Sequence, residues 1–345
     1  MNKKEQINKG IMLLDATEVR NNLSLEETIE AVEQTYSQYY QGKTLLPPVV
    51  NMMLDDRDGE LDVKTGFIDG FNLIGVKMAA GFYQNEKSYG IPSWPSMIML
   101  ADAQTGFPCA AMDGGYITTI RTGAAGAVGA KHLARKNSET VLLVGAGNQA
   151  RIQLLGLKLV MPGLKRAMVY SPVREEVELY VTEMTEKAGI PVTGVFTKEE
   201  LKEAAGKADI IVTVTPSREP QILREWVRPG THINAIGSDG PGKQELDPAI
   251  LRDAKVVADS FSQTSQIGEC QHAIKAGYMK EDRTGLYAEI GEVTSGVKPG
   301  RENNEEITVF DATGMAVLDV AAASIVVRRS AEKEGTRYFQ MFHLD

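Results

Sequence analysis

The stretch Glu139-Thr-Val-Leu-Leu-Val-Gly-Ala-Gly-Asn-Gln-Ala150 decides the fold, because an apolar run ends in two glycines and changes at once to a helical pattern. Val141–Val144 show no polar alternation, which is typical of a strand buried on both faces of a parallel sheet. Gly145 permits a tight turn, Gly147 lets a pyrophosphate approach the backbone, and Ala150 leaves room for the helix. The helix N-terminus then offers free N–H groups to the anion.

The segments that follow this glycine turn alternate between strand and helix. They are strand-like Arg166–Tyr170, helix-like Arg174–Lys187, strand-like Asp209–Val214 and strand-like Thr231–Ile236. Such alternation is typical of an α/β fold with a parallel sheet. We therefore predict a doubly wound Rossmann domain over residues 123–315. Residues 1–122 and 316–345 are predicted to form an α+β domain for substrate binding and dimerisation.

Composition excludes several classes of protein. The chain has 345 residues, of which 43% are hydrophobic and 24% charged, and its net charge is −9. That charge and the lack of a basic tail exclude nucleic-acid and anionic-membrane partners. No apolar run approaches the roughly 20 residues of a membrane span, and two cysteines are too few for a disulfide framework. We expect a cytoplasmic protein.

The first part of the chain has the pattern of an antiparallel meander. Its strand-like segments are Val49–Leu54, Leu61–Ile68, Leu73–Met78, Met97–Leu100 and Pro108–Met112. Since side chains two residues apart share a sheet face, Lys77 should lie on the face of Gly75 and opposite Val76. A strand lysine is usually solvated, so both a surface role and a functional role stay open for Lys77.

Two helices have unusual compositions. Thr118–Ala130 consists almost wholly of small residues, which is useful only where another backbone packs very close. Arg121 is the one long cation at its start and is either an interdomain salt bridge or a clamp for an anion. Thr313–Val327 is too apolar for a surface helix, so we expect it to pack on the first domain.

Loops at the carboxyl ends of the predicted parallel strands are candidates for ligand binding. Val169–Arg174 lacks the acid that binds a free ribose 2′-hydroxyl, so Ser171 and Arg174 could hold a 2′-phosphate instead. The alternative is that Arg174 only faces solvent. Thr215 begins a loop where a nicotinamide ribose can lie. Asp239 follows another strand and is either a functional acid or a turn residue.

No metal site is predicted. Glu269 and His272 lie one helical turn apart, but no third ligand is in view. We interpret them as a helix cap and part of a polar helix face.

The chain resembles the ornithine cyclodeaminase/μ-crystallin family over essentially its whole length. The stretches that carry the resemblance are Ile74-Gly-Val-Lys77, Ile120-Arg-Thr-Gly-Ala-Ala125, Val144-Gly-Ala-Gly-Asn-Gln-Ala150, Asn234-Ala-Ile-Gly-Ser-Asp-Gly-Pro-Gly-Lys-Gln-Glu-Leu246 and Phe310-Asp-Ala-Thr-Gly314. The resemblance implies a homodimer that binds NAD(P) and a small amino or imino acid. It also implies that Lys77 and Arg121 hold the substrate carboxylate and that Asp239 is the acid/base, with Lys77 as a second candidate catalytic residue.

The cofactor contacts expected from the motifs and the resemblance are Arg121, Thr122, Gly145, Gly147, Asn148, Gln149, Ala150, Ser171, Arg174, Thr215, Gly237 and Thr313.

One departure from the family pattern bears on the substrate. Relatives commonly carry an arginine shortly after the prolines that are here Pro47 and Pro48, and this chain has none there. The stretches Asp62-Val-Lys-Thr-Gly66 and Lys77 with Gly81-Phe-Tyr instead resemble the branch that includes ectoine-utilisation proteins and iminosuccinate reductases, which implies that Lys64 is a second cation in the pocket. Lys64, Lys77 and Arg121 would then be three cations, one more than a single carboxylate needs.

The sequence therefore predicts an NAD(P)-dependent amino-acid/imino-acid oxidoreductase that reduces a small imino acid, with a dicarboxylic one as the specific expectation. Hydride transfer to an imine carbon needs a nicotinamide, a carboxylate grip and an acid/base. Alternatives are ornithine cyclodeaminase, an ammonia-eliminating lyase without net cofactor turnover, and alanine dehydrogenase. A cofactor-dependent binding protein is a further alternative, against which Asp239 argues.

Overall fold

The computed structural model describes residues 3–82 and 84–341. The chain divides into two compact units, of which the first comprises Met1–Arg121 with Met315–Asp345 and the second Thr122–Gly314. The division falls inside one helix, Gly115–Leu133.

The first unit is an α+β structure. Its helices are α1 (Lys3–Lys9), α2 (Ala16–Asn21), α3 (Leu25–Tyr40), α4 (Asn85–Tyr89), the start of α5 (Gly115–Leu133), and α13 (Ala316–Ala331). Its strands are β1 (Ile11–Leu14), β2 (Thr44–Leu45), β3 (Val50–Leu54), β4 (Gly59–Ile68), β5 (Leu73–Phe82), β6 (Ser96–Asp102), β7 (Pro108–Asp113) and β18 (Arg337–Phe339).

One sheet organises this unit. Its order is β18-β1-β7-β6-β5-β4-β2, with β3 paired to β4, and β3 to β7 form the predicted antiparallel meander. Lys64 lies directly opposite Lys77, and Gly66 lies opposite Gly75. Because facing residues of paired strands share a sheet face, these four residues lie on one face.

Helix α13 packs on that face and also against α3. The approach is close because the sheet has glycines beneath the helix. A Cβ atom at Gly66 would lie 3.0 Å from Val317 Cγ1, and one at Gly75 would collide with the side chain of Val320. The apolar helix predicted near the end of the chain therefore covers the sheet of the first unit.

The opposite face of the same sheet is apolar and exposed. Its large exposed side chains are those of Val50, Met52, Ile74, Met78, Met97 and Met99, each between 39% and 63% accessible. Contiguous apolar surface of this kind is typical of an interaction site.

The second unit alternates helices and strands. Its strands are β8 (Thr140–Val144), β9 (Arg166–Tyr170), β10 (Val192–Val195), β11 (Ile210–Thr213), β12 (Arg218–Ile222), β13 (His232–Ala235), β14 (Gln244–Leu246), β15 (Lys255–Ala258), β16 (Ala288–Glu289) and β17 (Thr308–Asp311). Its helices are the remainder of α5, α6 (Asn148–Val160), α7 (Arg174–Ala188), α8 (Lys198–Lys207), α9 (Pro248–Asp253), α10 (Phe261–Ile267), α11 (Cys270–Lys275) and α12 (Ile290–Thr294).

The main sheet of this unit is parallel and has the order β10-β9-β8-β11-β13-β17-β15-β16. The order reverses between β8 and β11, which creates a crevice at the carboxyl ends of these two strands. Val141–Val144 are completely buried, as expected for a strand covered on both faces. The predicted doubly wound Rossmann fold is confirmed.

The small residues of α5 allow a close helix contact within the second unit. A Cβ atom at Gly123 would lie 2.7 Å from Ile152 of α6, and one at Gly156 would lie 3.0 Å from the Gly123 carbonyl oxygen. Helix α6 is therefore held tightly in the orientation that presents its N-terminus at the end of β8. Within residues 3–82 and 84–341, no helix is long and apolar enough to cross a bilayer.

The glycine contact beneath α13 gives a prediction. Gly75→Ala should lower the free energy of unfolding by about 1–3 kcal/mol, because the added methyl group overlaps the Val320 side chain. Gly115→Ala is the control in the same unit, since its Cβ would meet Asp113 only at 3.6 Å. Urea unfolding of both variants measures the difference. Equal stability of the two variants would contradict the packing described.

Candidate active site

Three buried charged side chains meet in the first unit, and we call them the ion cluster. Lys77 Nζ lies 2.7 Å from Asp319 Oδ2, and Arg121 Nε lies 2.9 Å from Asp319 Oδ1. Each of the three residues is at most 5% exposed. Lys77 Nζ also donates to Thr118 Oγ1 at 3.3 Å. The salt bridge of Arg121 is thus made inside the first unit, and Lys77 is a buried residue instead of a solvated one.

Asp319 was missed in the sequence analysis. It is the only acid of α13 and lies in the first turn of that helix, where the helix dipole favours a negative charge. An ionised side chain in an apolar helix is expensive to bury unless it is paired. The single acid in an otherwise apolar segment was therefore the signal that could have identified a buried ion pair.

The electrostatics of the ion cluster bring the pKa of Lys77 close to neutral pH. Burial lowers the pKa of Lys77 to about 7, the negative charge of Asp319 opposes this, and the positive charges of Arg121 and Lys64 reinforce it. Burial alone would raise the pKa of Asp319, but Arg121 and Lys77 hold it below its usual range. Lys77 can therefore gain or lose a proton near pH 7, while Asp319 stays ionised.

Lys64 completes the group of cations. It is half-buried on the strand beside Lys77 and forms no ion pair with any residue in the described part of the chain. The charge count made from the sequence set three cations, Lys64, Lys77 and Arg121, against the single catalytic acid Asp239 and did not include Asp319. Asp319 corrects that count, because it neutralises one of the three charges.

The glycine turn of the second unit has the geometry of a phosphate loop. Gly145 has a φ of +115°, and a Cβ atom there would lie 2.8 Å from the Val214 carbonyl oxygen. Nothing lies within 4 Å of a Cβ atom placed at Gly147, which is the N-cap residue of α6 and caps it with no side chain. Ala150 is fully buried. Asn148 at the start of α6 is exposed, so the helix N-terminus is accessible to an anion.

Two polar atoms of the second unit fit a bound dinucleotide. Gln149 Oε1 and Thr313 Oγ1 are both buried, and neither has a hydrogen-bond partner in the structure. Buried polar atoms are normally paired, so unpaired ones are typical of a position that a ligand satisfies. Gln149 and Thr313 are both among the predicted cofactor contacts. Thr122, another predicted contact, accepts a hydrogen bond from the Gln153 side chain through its backbone carbonyl at 2.9 Å.

An acid that the sequence analysis did not identify lies beside the residue that follows β9. Ser171 Oγ donates to Glu176 Oε2 at 2.8 Å. Arg174 instead stacks on the Phe196 ring at 4.2 Å and pairs with Glu178 at 3.5 Å. Glu176 lies in the first turn of α7, and its side chain reaches back to Ser171, beyond the strand end where such an acid is usually found. This arrangement favours a free 2′-hydroxyl over a 2′-phosphate.

Asp239 lies in the loop after β13, at the carboxyl edge of the sheet. Its side chain is 48% exposed and Oδ1 lies 2.5 Å from Lys243 Nζ. Two backbone N–H groups nearby, those of Thr215 and Gly237, donate to the buried carboxylate of Glu245. Asp239 is thus accessible to solvent, and the loop that carries it is held by the hydrogen bond from Gly237 to Glu245.

Metal ligands are not assembled anywhere in the described residues, where no group of three His, Cys, Asp or Glu could hold a metal ion. Glu269 is the N-cap residue of α11, as its interpretation as a helix cap predicts, but its side chain makes no capping hydrogen bond and the residue is only 1% exposed. Its carboxylate accepts from the backbone N–H groups of Glu245 and Leu246 at 2.7 and 3.2 Å.

Comparison with known proteins agrees with this geometry. The model of the ornithine cyclodeaminase/mu-crystallin family matches residues 9–334. The chain belongs to this family. The resemblance inferred from the sequence motifs is therefore confirmed.

Three solved structures of this family are similar to the whole chain. An archaeal alanine dehydrogenase dimer with bound NAD is 37% identical, with a TM-score of 0.89, and the match covers 96% of this chain and 99% of that one. Δ1-pyrroline-2-carboxylate reductase of Thermococcus litoralis, in complex with NADH and L-proline, is 34% identical, with a TM-score of 0.88 and coverages of 93% and 98%. The iminosuccinate reductase of Paracoccus denitrificans, in complex with NAD⁺, is 33% identical, with a TM-score of 0.86 and coverages of 93% and 97%.

Removing the acid of the ion cluster should destabilise the protein in a pH-dependent way. Asp319→Asn leaves Arg121 and Lys77 as unpaired buried cations, so we expect a loss of about 3–5 kcal/mol at pH 6. Lys77 is already neutral in the wild type above pH 7, so the loss should shrink as pH rises from 6 to 9. Urea unfolding at both pH values measures it, with Asp56→Asn at an exposed position as the control. A loss that is small, or equal at both pH values, would contradict the paired cluster.

Proposed function

We propose that the protein is an NAD-dependent oxidoreductase that reduces the C=N bond of a small imino acid or, in reverse, oxidises the corresponding amino acid. The observation that carries the proposal is the ion cluster, because it gives the first unit buried cations while the second unit has a phosphate loop of the dinucleotide-binding type. The named activities of the similar family members, two imino-acid reductases and an alanine dehydrogenase, support the same reaction class.

The second unit is proposed to bind NAD. Gly145, Gly147 and the N-terminus of α6 would hold the pyrophosphate, and the unpaired Gln149 and Thr313 side chains would hydrogen-bond the cofactor. When bound, the nicotinamide supplies or accepts a hydride. Glu176 beside Ser171 supports the unphosphorylated cofactor, because a carboxylate repels a 2′-phosphate.

The first unit is proposed to hold the substrate through its carboxylate. The guanidinium of Arg121 and the amine of Lys77 are the anchoring groups, since both are buried and one acid neutralises only one of their charges. The side chains of Arg121, Lys77, Lys64 and Asp319 together have a net charge of about +2 when Lys77 is protonated and of about +1 when Lys77 is neutral. A monocarboxylate balances the second state and a dicarboxylate the first. Without Lys64 the net charge would be at most about +1, so Lys64 is the residue that would allow a second carboxylate.

Asp239 is proposed as the acid/base that exchanges a proton with the substrate nitrogen. It follows a central strand of the parallel sheet, at the edge where α/β proteins bind ligands. Its exposed carboxylate pairs with Lys243 Nζ at 2.5 Å. The function of Asp239 as a turn residue alone is the alternative that mutation can exclude.

A homodimer is proposed, with the exposed face of the first unit's sheet as its contact surface. The face consists of the apolar side chains described above and has no cover within the described residues of this chain. The similar archaeal structure is a dimer. Both cysteines, Cys109 and Cys270, are free thiols, which supports a reducing compartment and a cytoplasmic location.

An absorbance assay tests the function. NADH and NADPH are each mixed with pyruvate and ammonium, oxaloacetate and ammonium, or Δ1-pyrroline-2-carboxylate. We expect stoichiometric loss of absorbance with at least one acceptor and faster loss with NADH than with NADPH. L-Ornithine with NAD⁺ is the control for a lyase. Ammonia release without NADH accumulation, and no oxidation of NADH by the acceptors, would contradict the proposal.

The role of Asp239 is tested in the same assay. Asp239→Asn should lower turnover by about 10² or more and leave the Kd for NADH nearly unchanged, because it removes a proton donor and no cofactor contact. Lys243→Met, which removes only the ion-pair partner, is the matched control and should have a smaller effect. Wild-type turnover in Asp239→Asn would leave Asp239 as a turn residue.

The proposed contact surface gives a separate prediction. Met99→Glu places a charge in the exposed apolar face, so the dimer should dissociate at micromolar concentration. Leu179→Glu, at an exposed apolar position of α7 in the second unit, is the control and should stay dimeric. Sedimentation equilibrium distinguishes the two states. A dimer that persists in Met99→Glu would place the contact elsewhere.

A further inference from the structure

A buried glutamate joins two loops at the carboxyl edge of the parallel sheet. Strands β11 and β13 are adjacent, and their ladder ends where the Thr213 carbonyl accepts from the N–H groups of Ile236 and Gly237. Beyond that point, Thr215 N donates to Glu245 Oε1 at 2.6 Å and Gly237 N also donates to Glu245 Oε2 at 2.9 Å. The carboxylate therefore bridges the two loops where direct strand pairing stops.

The bridge leaves no room for a side chain at position 237. A Cβ atom at Gly237 would lie 2.5 Å from Thr215 N and 2.6 Å from Glu245 Oε2, so only glycine fits between the loops. Glu245 itself is completely buried. The segment from Gly237 to Glu245 thus closes on itself through this carboxylate, and Asp239 lies within the closed segment.

Two more buried carboxylates support Glu245 from behind. Glu269 accepts from the N–H groups of Glu245 and Leu246, as described above. Asp311, the last residue of β17, accepts from Glu269 N at 3.1 Å and from Cys270 N at 2.9 Å. The three acids form a series in which each carboxylate fixes the backbone that carries the next, and we call it the carboxylate series.

The electrostatics show that the carboxylate series is expensive to bury. Burial raises the pKa of Glu245 to about 7, although the N–H groups of Thr215 and Gly237 oppose the shift. Burial likewise raises the pKa of Asp311 to about 6 and that of Glu269 well above its usual range, and neighbouring carboxylates raise the latter further. Apolar residues would avoid these penalties, but they accept no hydrogen bonds from the loop backbone.

We propose that Glu245 is a positioning residue for the reaction, which holds the Thr215 loop and the Asp239 loop in the arrangement that proton and hydride transfer require, without touching the substrate. The inference rests on the proposed function and deepens it. The matched structural residue is Asp209 at the amino edge of the same sheet. Its Oδ2 accepts from Glu139 N and Thr140 N at 2.8 and 3.0 Å, so it bridges the starts of two strands as Glu245 bridges the ends.

Two variants of Glu245 test the proposal kinetically. Glu245→Gln retains the shape but offers one acceptor oxygen for two N–H groups, and Glu245→Asp retains the charge but is too short to reach both. We expect kcat to fall between about 10-fold and 10²-fold in each, as for small misplacements of reacting groups. The Kd for NADH should change less than about threefold. The primary isotope effect with 4-deuterated NADH should rise, because hydride transfer becomes slower than product release. Asp209→Asn should lower the melting temperature and leave the isotope effect unchanged.

Hydrogen–deuterium exchange tests the positioning itself and does not depend on the reaction. Residues 214–217 and 236–243 should exchange at least about tenfold faster in both Glu245 variants, while residues 145–155 exchange as in the wild type. If none of the acceptors supports NADH oxidation by the wild type, the proposed function fails. Faster exchange in the Glu245 variants would still support the positioning role. Unchanged kcat with unchanged exchange would overturn the inference. Failure of both Glu245 variants to fold would also overturn it, because Glu245 would then be a structural residue only.

Discussion

The structure of the first unit depends on one constraint, the burial of two cations against a single aspartate. Asp319 pairs with both Lys77 and Arg121, and none of the three reaches solvent to any useful extent. Such an arrangement requires α13 to lie directly on β4 and β5, and Gly66 and Gly75 make that approach possible. Because one acid cannot neutralise both cations and the half-buried Lys64 beside them, the unit retains positive charge suited to an anion.

The second unit solves a related problem with backbone groups. At the end of β8, exposed N–H groups at the start of α6 await an anion, and Gly147 keeps them accessible. At the ends of β11 and β13, the buried carboxylate of Glu245 instead accepts from the N–H groups of Thr215 and Gly237 and joins the two loops. One sheet edge thus combines an open anion site with loops whose positions are fixed, as hydride transfer between two bound molecules requires.

Much of this arrangement was predictable from the sequence, and the exceptions share a cause. The unbroken apolar run of β8 identified a buried parallel strand, and the two-residue period placed Lys77 on the face of Gly75. Asp319, Glu176 and Glu245 were not assigned their roles. Each acts through a partner that only the folded backbone brings near: tertiary packing does so for Asp319 and Glu245, and the turn between β9 and α7 does so for Glu176. The burial of Glu269 also depends on tertiary packing and was not predicted.

The central claim is that the ion cluster is an anion site with a lysine poised near neutrality. The most direct test is a nuclear magnetic resonance titration of Lys77 in protein labelled with ¹³C at lysine Cε, with Lys77→Met used for assignment. The account predicts a pKa close to 7 in the free protein and a higher value after addition of L-alanine or L-aspartate, since a bound carboxylate favours the charged amine. An ordinary lysine pKa near 10.4, unaffected by either amino acid, would contradict the account.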